Sequence, residues 1–494
     1  MQSFDGKNDT VTPEQVQYWD QKHLIHPWSE FSENSLNMTQ VAKAKGVYLY
    51  DGYGNKLIDG PGGMWCVNIG YGRKEMADAI SGQIMNMTYS SPWFTTNEPA
   101  AMLAKVIAEK TPGDLNRIFF SNGGSDAVDT ALRFVQYRNN VLGRPNKKKI
   151  LCREKGYHGS SYLAATVSGT GREHDRSFMD THHDLAIMLP NINPYLRPKG
   201  ISEAKWCDLK ISEMEETILS VGADQIGCFI AEPILASGGV IVPPAGYHQR
   251  SLELCKKYDI IYISDETVTG FGRLGHWFAS KEVFNIQPDI ITCAKGLTSG
   301  YFPMGAAIIS DKLIDDIKKT EGSQPFTNGY TYSCHPVAAK AALTNINIIS
   351  RENILDHVRE ISPHFQNRLK AIGERYEIIG DARGVGLLGC LEGLGSRSSS
   401  EEARLKIDTE FGQLMDEACE KRGLLVRPII NMCVFSPPLV ITRDELDTMF
   451  DILEDAITEV KKKLSVNSSR LFSYYKLRLP NLSLGNGKYS RLGF

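Results

Sequence analysis

The sequence lacks any long hydrophobic run. No apolar stretch in its 494 residues approaches the ~20 residues that a membrane-spanning helix needs, so we expect no association with a membrane. The first residues, Met1 to Asp20, include acids and no Arg, which is not the pattern of a targeting segment. With 42% hydrophobic and 23% charged residues, the composition also excludes an intrinsically disordered chain.

A second absence concerns cysteine pairing. The ten cysteines are spread along the chain without a CxxC pair. Several of them lie inside apolar runs, which is typical of free thiols in a reducing compartment. No internal repeat or low-complexity segment is present. At roughly 100 to 200 residues per domain, the length indicates two to four domains. We therefore predict a soluble, cytoplasmic protein.

The body of the chain also lacks an excess of basic residues. The net charge is −3, but residues 461–494 hold eight Lys or Arg and no acid, so the chain before them is more acidic than that value suggests. Binding to nucleic acid needs a basic surface. Only the tail has such a composition, and we expect no nucleic-acid partner for the body.

Helical stretches alternate with short apolar runs from about residue 74, as in parallel βαβ units. One of these runs leads into a Gly/Ser loop at 121–125, and three others lead into Glu232, Asp265 and Lys295. Open α/β sheets bind ligands beyond the carboxyl ends of their strands. The pattern therefore predicts that the loop, two acids and a lysine meet in one crevice. From about residue 336, amphipathic helices indicate a second, smaller α+β domain.

The loop Ser121-Asn122-Gly123-Gly124-Ser125 has the composition of a phosphate cradle. Its glycines allow the backbone to approach a ligand, Ser125 adds a hydroxyl, and the helix that follows offers unpaired amides. An ordinary strand-to-helix turn with a cap has the same composition. The loop alone therefore leaves both interpretations open.

Lys295 and Asp265 each follow an apolar run. Burial would lower the pKa of Lys295 and favour the neutral amine that attacks carbonyls, although a lysine at a strand end also reaches solvent. A buried Asp265 needs a cationic partner, which a protonated ring nitrogen, Arg273 or a helix N-terminus supplies. Lysine, aspartate and a phosphate cradle together are the requirement for pyridoxal phosphate.

Two other motifs are interpreted as structural. Gly270 to Gly275 matches the GxGxxG pattern of dinucleotide folds, but it lies five residues past its strand and does not open a clear helix. His182 and His183 beside Asp184 have no further side chain at ligand spacing. We expect neither a nicotinamide cofactor nor a metal site.

The chain resembles the class III, pyridoxal-phosphate-dependent aminotransferases of fold type I, in the omega-transaminase group. The resemblance runs from about His26 to Val460. It is carried by the segments GMWCVNIGYGR from Gly63, SNGGSDAVD from Ser121, KGYHGSS from Lys155, AEPILASGGVIVPP from Ala231, DETVTGFGR from Asp265, AKGLTSGYFPMG from Ala294, GYTYSCHP from Gly329 and SPPLV from Ser436.

This resemblance implies an α/β fold with a large domain, residues 61–335, built on a mostly parallel seven-stranded sheet. A smaller α+β domain would cover residues 336–463, and residues 1–60 would pack with it. The basic tail, residues 464–494, lies outside the resemblance, and disorder, a lineage-specific extension and a cloning remnant all stay open for it.

The resemblance also assigns the site of pyridoxal 5'-phosphate. Lys295 would form the Schiff base and move the proton, Asp265 would hold the pyridine nitrogen protonated, and Tyr157 would stack on the ring opposite Thr267. The phosphate would bind Gly124 and Ser125 of one subunit. The remaining cofactor-binding positions that the resemblance implies are His158, Glu232, Tyr330 and Thr331, with Thr331 reaching the phosphate of the other subunit.

For the substrate, the resemblance implies that Arg427 pairs with the carboxylate of a keto acid. The pocket would be lined by Trp28, Met64, Trp65, Trp93 and Phe94, with Trp28 and Thr331 contributed across a homodimer or a dimer of dimers. The expected reaction moves an amino group from an amine or omega-amino acid donor to a keto acid acceptor such as pyruvate, in ping-pong order.

The chain departs from the family pattern at several positions of the site. Thr267 stands where Val is usual, Gly123 where Ser is usual, Asp126 for Glu, Asn328 for His and Cys334 for Gly. We expect none of these departures to touch Lys295 or Asp265. A decarboxylating transaminase or an aminomutase on the same scaffold is the alternative reaction, and a non-catalytic regulator with the same fold is a third hypothesis.

Overall fold

A computed structural model of the chain describes residues 11–28, 38–169, 179–322, 324–394 and 401–466. Its helices are α1 Pro13–His23, α2 Gly62–Trp65, α3 Lys74–Asn86, α4 Glu98–Ala108, α5 Gly124–Val141, α6 Tyr162–Thr166, α7 Glu203–Val221, α8 Tyr247–Lys257, α9 Ala279–Glu282, α10 Asp311–Lys318, α11 Pro336–Arg351, α12 Ile354–Arg375, α13 Glu401–Glu420 and α14 Arg443–Val466. The predicted basic tail lies, from residue 467, outside the described residues.

The strands are β1 Val41–Lys45, β2 Tyr48–Asp51, β3 Lys56–Asp59, β4 Leu115–Ser121, β5 Lys149–Arg153, β6 Ala186–Leu189, β7 Ile226–Ala231, β8 Ile261–Asp265, β9 Ile290–Cys293, β10 Gly305–Ser310, β11 Ile379–Val385, β12 Leu388–Gly393, β13 Leu424–Leu425, β14 Arg427–Ile429 and β15 Met432–Phe435. Short 3₁₀ turns cover Pro194–Leu196 and Lys295–Leu297.

A seven-stranded sheet in the order β4-β10-β9-β8-β7-β5-β6 forms the centre of the molecule. Strand β10 is antiparallel to both of its neighbours, whereas β9, β8, β7, β5 and β6 pair in parallel. This confirms the predicted mostly parallel sheet. Strands β7, β8 and β9 are buried along their whole length, because helices cover both faces of the sheet.

Adjacent residues of β7 show these two helical layers. Phe229 belongs to a buried cluster with Met214 of α7 and Cys255 of α8. Ile230, the next residue, belongs to a cluster with Val128 and Leu132 of α5. Because side chains alternate across a strand, each strand connects two cores and is held rigidly. The carboxyl ends of β7, β8 and β9 therefore have fixed positions.

The C-terminal part forms a second sheet, β11-β12-β15-β14. Helices α12 and α14 pack together through Phe365 and Phe450, whose ring centroids are 5.4 Å apart. Strand β13 pairs in parallel with β3 near the N-terminus, so the first strands join the C-terminal part of the chain. The domain boundaries given above stay a prediction. None of the helices in the described part of the chain has the length and hydrophobicity that crossing a bilayer needs.

Candidate active site

The carboxyl ends of three neighbouring strands meet at a single cavity. Asp265 is the last residue of β8, Glu232 directly follows β7, and Lys295 lies two residues beyond β9. All three line this cavity. Lys295 starts a 3₁₀ turn with φ of 44°, a left-handed conformation that a side chain rarely adopts and that is often found at functional sites.

We call this cavity the inner chamber, and its volume is about 190 Å³. Its lining combines the strand ends with the start of α5 and the loop after β5. The lining residues are Met64, Gly124, Ser125, Tyr157, His158, Gly159, Glu232, Ser237, Asp265, Thr267, Val268, Ala294 and Lys295. The sequence prediction that a Gly/Ser loop, two acids and a lysine meet is therefore confirmed.

Asp265 is fully enclosed by hydrogen-bond donors. His158 donates its Nδ1–H to the carboxylate at 2.8 Å. The hydroxyls of Thr267 and Thr292 donate to the other oxygen at 2.6 and 3.0 Å. The expectation that the departure at Thr267 does not touch Asp265 is therefore wrong. Burial alone would raise the pKa of Asp265, but the hydrogen bonds from these side chains outweigh it and hold the pKa below its usual value. The structure thus keeps a negative charge at the base of the inner chamber.

Glu232 is the second buried carboxylate. It accepts hydrogen bonds from the backbone N–H groups of Tyr157 at 2.9 Å and Ala236 at 3.0 Å. Burial raises the pKa of Glu232 to about 7, and the charge of Asp265 adds to this effect. The pKa of Glu232 is therefore raised and that of Asp265 is lowered. Neighbouring carboxyl groups with pKa values shifted apart are common in active sites.

The amine of Lys295 faces the same space. Burial lowers its pKa, while the negative charges of Asp265 and Glu232 act in the opposite direction. Its Nζ lies 5.1 Å from the centre of the Trp65 ring. A lowered pKa increases the share of the neutral amine, which is the form that acts as a nucleophile and a general base.

The start of α5 forms one wall of the inner chamber. Gly124 is its first residue, and no side chain caps the helix, so its first amides are open to a ligand. A Cβ at Gly124 would lie 3.1 Å from the Thr267 side chain, a tight contact that favours glycine there. Ser125 Oγ accepts a hydrogen bond from the Ser160 N–H at 3.1 Å. Of the two interpretations of this loop, the site geometry favours the anion cradle.

The donor set of the inner chamber fits pyridoxal 5'-phosphate. An uncapped helix start suits its phosphate, and the charged Asp265 suits a protonated ring nitrogen. The Lys295 amine suits an aldehyde carbon, and Tyr157 and Thr267 line the chamber that would hold the ring. No one of these features is specific, but their combination matches the cofactor group by group.

A second cavity of about 80 Å³, the outer chamber, shares Met64, Tyr157, Ser237 and Lys295 with the inner one. Its lining is mostly apolar, with three basic side chains. The lining residues are Trp28, Met64, Trp65, Lys155, Tyr157, Ser237, Gly238, Lys295, Arg427, Ile429, Ile430 and Met432. Such an apolar cavity beside a reactive amine is suited to a small organic substrate.

Family comparison agrees with this site. The profile of the family "Aminotransferase class-III" matches residues 31–457, which is most of the chain. The chain belongs to the class-III aminotransferases. This confirms the predicted family, the enzyme class and pyridoxal 5'-phosphate as the cofactor, and it excludes a nicotinamide enzyme as the interpretation of Gly270 to Gly275.

Two relatives of this aminotransferase differ in the substrates that their names give. It is 35% identical to putrescine–pyruvate aminotransferase of Pseudomonas aeruginosa over 92% of this chain and 98% of the relative. It is 36% identical to gamma-aminobutyrate transaminase 1, mitochondrial, of Oryza sativa subsp. indica over 87% of this chain and 83% of the relative. Both names contain a molecule with a terminal primary amine.

Solved structures of similar proteins have the same fold. An (S)-enantioselective omega-transaminase from Thermomicrobium roseum superposes with a TM-score of 0.85 at 31% identity, covering 92% of this chain and all (100%) of that one. The PMP-bound form of an aminotransferase from Vibrio fluvialis gives 0.84 at 30% identity, covering 92% and 99%. Fold type I, with its transaminase architecture, is thereby confirmed for this aminotransferase.

Four predicted site residues lie away from both chambers in the single chain of this aminotransferase. Trp93 packs near Gly329, where a Cβ would lie 3.1 Å from its ring. Thr331 is exposed, and its carbonyl accepts from Tyr89 at 2.9 Å. Tyr330 donates to the Asp126 carbonyl at 3.1 Å on α5. Phe94 is 91% exposed. One chain alone does not bring these residues to Lys295.

Trp28, by contrast, lies at a chamber of its own chain although it was expected from the partner subunit. It lines the outer chamber of its own chain and meets Tyr157 edge to face, with ring centroids 6.2 Å apart. The expectation that Trp28 is contributed across a dimer is therefore wrong for this aminotransferase, because Trp28, five residues after the end of α1, lines the chamber of its own chain.

One hypothesis for the Asp265 partner, Arg273, is contradicted. Arg273 donates instead to the carbonyls of Leu387 at 3.1 Å and Pro437 at 2.6 Å, so it fastens the C-terminal part of the chain. Sequence reasoning missed Thr292, which donates to Asp265, and it missed Ser237 and Lys155, which line the chambers. Thr292 had a signal, since it is a polar residue inside the apolar run of β9. Within the described ranges, no group of His, Cys, Asp or Glu is placed to hold a metal ion.

Proposed function

We propose that this aminotransferase moves an amino group from an amine or omega-amino acid to a keto acid, pyruvate being the expected acceptor, in ping-pong order. The observation that carries the proposal is the position of Lys295, whose amine opens both to the inner chamber and to the outer chamber. The first fits the cofactor, and the second fits a substrate beside the same amine.

Lys295 is the proposed general base and acid of the reaction. Its lowered pKa increases the share of the neutral amine, so Nζ can accept a proton from the substrate carbon and later return one. Pyridoxal 5'-phosphate, when bound, supplies the carbon that takes the amino group and the ring that accepts the electron pair.

Asp265 and His158 set the charge of the inner chamber. Asp265 accepts a hydrogen bond of 2.8 Å from His158, which fixes the orientation of the carboxylate. The lowered pKa of Asp265 keeps this carboxylate ionised. An ionised Asp265 holds a proton on a ring nitrogen placed against it. Tyr157, Thr267 and Glu232 are proposed to hold the ring, and Gly124 and Ser125 the phosphate.

Arg427 is the proposed partner of the keto-acid carboxylate. Its guanidinium lies 4.9 Å from the centre of the Trp65 ring and contacts the Met64 sulfur. Arginine binds carboxylates through two parallel hydrogen bonds, and stacking on an aromatic ring keeps its planar head in position. Trp28, Met64 and Trp65 line the chamber where the rest of the substrate would lie.

A homodimer is the proposed active form. An aromatic surface patch, formed by Tyr89, Trp93, Phe94 and Tyr332, is exposed in the single chain, and it is connected to the loop that carries Tyr330 and Thr331. Exposed apolar patches of this kind mark interfaces. A second copy covering this patch would complete each site with Thr331, Trp93 and Phe94.

Spectroscopy of the purified protein tests the proposal. After incubation with pyridoxal 5'-phosphate, the visible absorbance of the bound cofactor should decrease when an amine donor is added alone and return when pyruvate is added. Each step should yield its product in equal amount to the enzyme. Release of carbon dioxide, isomerisation of the amine, or the absence of any visible absorbance would contradict the proposal.

A further inference from the structure

We propose that Lys155 binds the distal carboxylate of an omega-amino acid donor, so that the chain favours such donors over diamines. This inference rests on the proposed function and names its donor class. Lys155 lies just after β5, two residues before Tyr157 in the sequence, and lines the outer chamber together with Lys295. Its side chain is half-buried.

The ammonium group of Lys155 is not used by the fold. Among the residues that the structure describes, no hydrogen bond or ion pair involves its Nζ. The two buried lysines in the described ranges are engaged: Lys147 donates to the carbonyl of Ala223 at 2.9 Å, and Lys210 pairs with Glu213 at 2.8 Å. A partly desolvated cation gains from an anionic partner, and a ligand in the outer chamber supplies one.

The backbone at Lys155 is held in an unfavourable conformation. Its φ is 67°, a region that glycine or asparagine normally occupies. The loop after β7 packs closely against it, since a Cβ at Gly238 would lie 2.6 Å from the Lys155 carbonyl oxygen. A lysine kept at such a position is explained if its side chain has a function in the cavity that it lines.

The charge of the outer chamber favours one class of donor. Its ionisable lining residues are basic or phenolic, namely Lys155, Tyr157, Lys295 and Arg427, and no Asp or Glu belongs to the lining that the structure describes. A second ammonium group, as in a diamine, is repelled by this lining. A carboxylate at the far end of the donor is attracted by it.

Lys155 and Arg427 are held by separate parts of the chain. Lys155 follows β5 of the central sheet, and Arg427 begins β14 of the C-terminal sheet. The carboxylate of a keto acid is next to the reacting carbon, whereas that of an omega-amino acid is several bonds away. Two cations at different positions therefore suit the two half-reactions. Lysine, a point charge on a flexible stem, tolerates donors of different length.

The test uses three donors with four carbons each: 4-aminobutanoate, butylamine and 1,4-diaminobutane. We expect Lys155→Met to lower the ratio of kcat/KM for 4-aminobutanoate to that for butylamine by about tenfold to hundredfold, the range for a lost charge-assisted hydrogen bond. The ratio for 1,4-diaminobutane over butylamine should rise. Lys155→Arg should restore most of the first ratio, and the exposed Lys199→Met serves as the matched control.

A binding measurement separates this inference from the proposed function. Trp28 and Trp65 line the outer chamber, so butanoate added to the cofactor-loaded protein should change tryptophan fluorescence, and Lys155→Met should weaken this binding at least about tenfold. If the unaltered protein transaminates none of the donors, the proposed function fails, and the butanoate titration decides the inference alone. Unchanged ratios and unchanged butanoate binding in Lys155→Met would overturn the role of Lys155.

Discussion

The inner chamber and the aromatic surface patch differ in how much of their structure one chain provides. In the inner chamber, Asp265 is buried and surrounded by donors from its own chain. In the patch, Trp93, Phe94 and Tyr332 are 59%, 91% and 60% exposed. Both regions contain residues that the resemblance assigns to one site. The difference indicates that one subunit supplies the groups around Asp265, and under the proposed homodimer a second copy would cover the patch and complete the outer boundary of the site.

The physical reason lies in the supporting elements. The inner chamber is formed at the ends of β7, β8 and β9, which are packed on both faces. The patch lies on the loop at 327–335 and on the segment before α4, where aromatic side chains project into solvent. Apolar surface of this kind is stabilised when it is covered.

Among the substitutions that test this comparison, Lys295→Ala should have the largest effect on activity. Loss of the amine removes the proton-transfer group, so transamination should fall by about 1,000-fold or more, as for removal of a general acid–base residue. The measurement is the rate of each half-reaction in single turnover. The exposed Lys281→Ala is the control. Full half-reactions in Lys295→Ala would show that the inner chamber is not the reactive one.

Asp265→Asn should lower kcat by about 100-fold, the range for loss of a preorganised electrostatic contact. The amide keeps the size of the side chain but removes the charge that His158 supports. Affinity for pyridoxal 5'-phosphate, measured by absorbance titration, should weaken as well. An equal change in Asp78→Asn, an exposed acid paired with Lys74, would argue against a specific role for Asp265.

Phe94→Asp tests the patch instead. Because the side chain is 91% exposed in the single chain, the substitution should leave subunit folding intact but raise the dissociation constant of the dimer at least about tenfold. Sedimentation velocity across a concentration series measures this. Leu219→Asp, on the exposed face of α7 at 62%, is the matched control. A dimer unaffected by Phe94→Asp would place the interface elsewhere.

The smallest effect is expected for Glu232 and depends on pH. Its pKa is about 7 in the folded chain, above the ordinary 4.5. Between these two pH values the folded state therefore holds a proton that the unfolded state has released. The contribution of Glu232 to the free energy of unfolding is complete below pH 4.5 and is lost as the pH rises to about 7. Glu232→Gln lacks this titration.

In cofactor-free protein, the free energy of unfolding of Glu232→Gln relative to the parent should therefore rise with pH across that window, by up to about 1.4 kcal/mol per pH unit. Urea unfolding at several pH values measures this difference. A flat difference between pH 4.5 and 7 would mean that Glu232 keeps an ordinary pKa.

Much of the inner chamber was predictable from sequence. Lys295, Asp265 and Glu232 each follow an apolar run, and parallel strands bring such ends together, so their convergence required no further information. The Gly124 and Ser125 cradle was ambiguous until α5 was seen to start without a side-chain cap. The partner of Asp265 was not predictable, because His158 is 107 positions away in the chain, and neighbouring Arg273 was an equally good candidate.

Sequence by itself determined the parallel sheet, the residues at its carboxyl edge and the family, because apolar periodicity and motif order are local properties of the chain. Only the tertiary structure decided the direction in which each pKa in the site shifts, where Trp28 lies, and that Lys155 lines the outer chamber without a partner among the described residues. These outcomes depend on burial and on distances between residues far apart in sequence, and such distances are set by how the strands and helices pack.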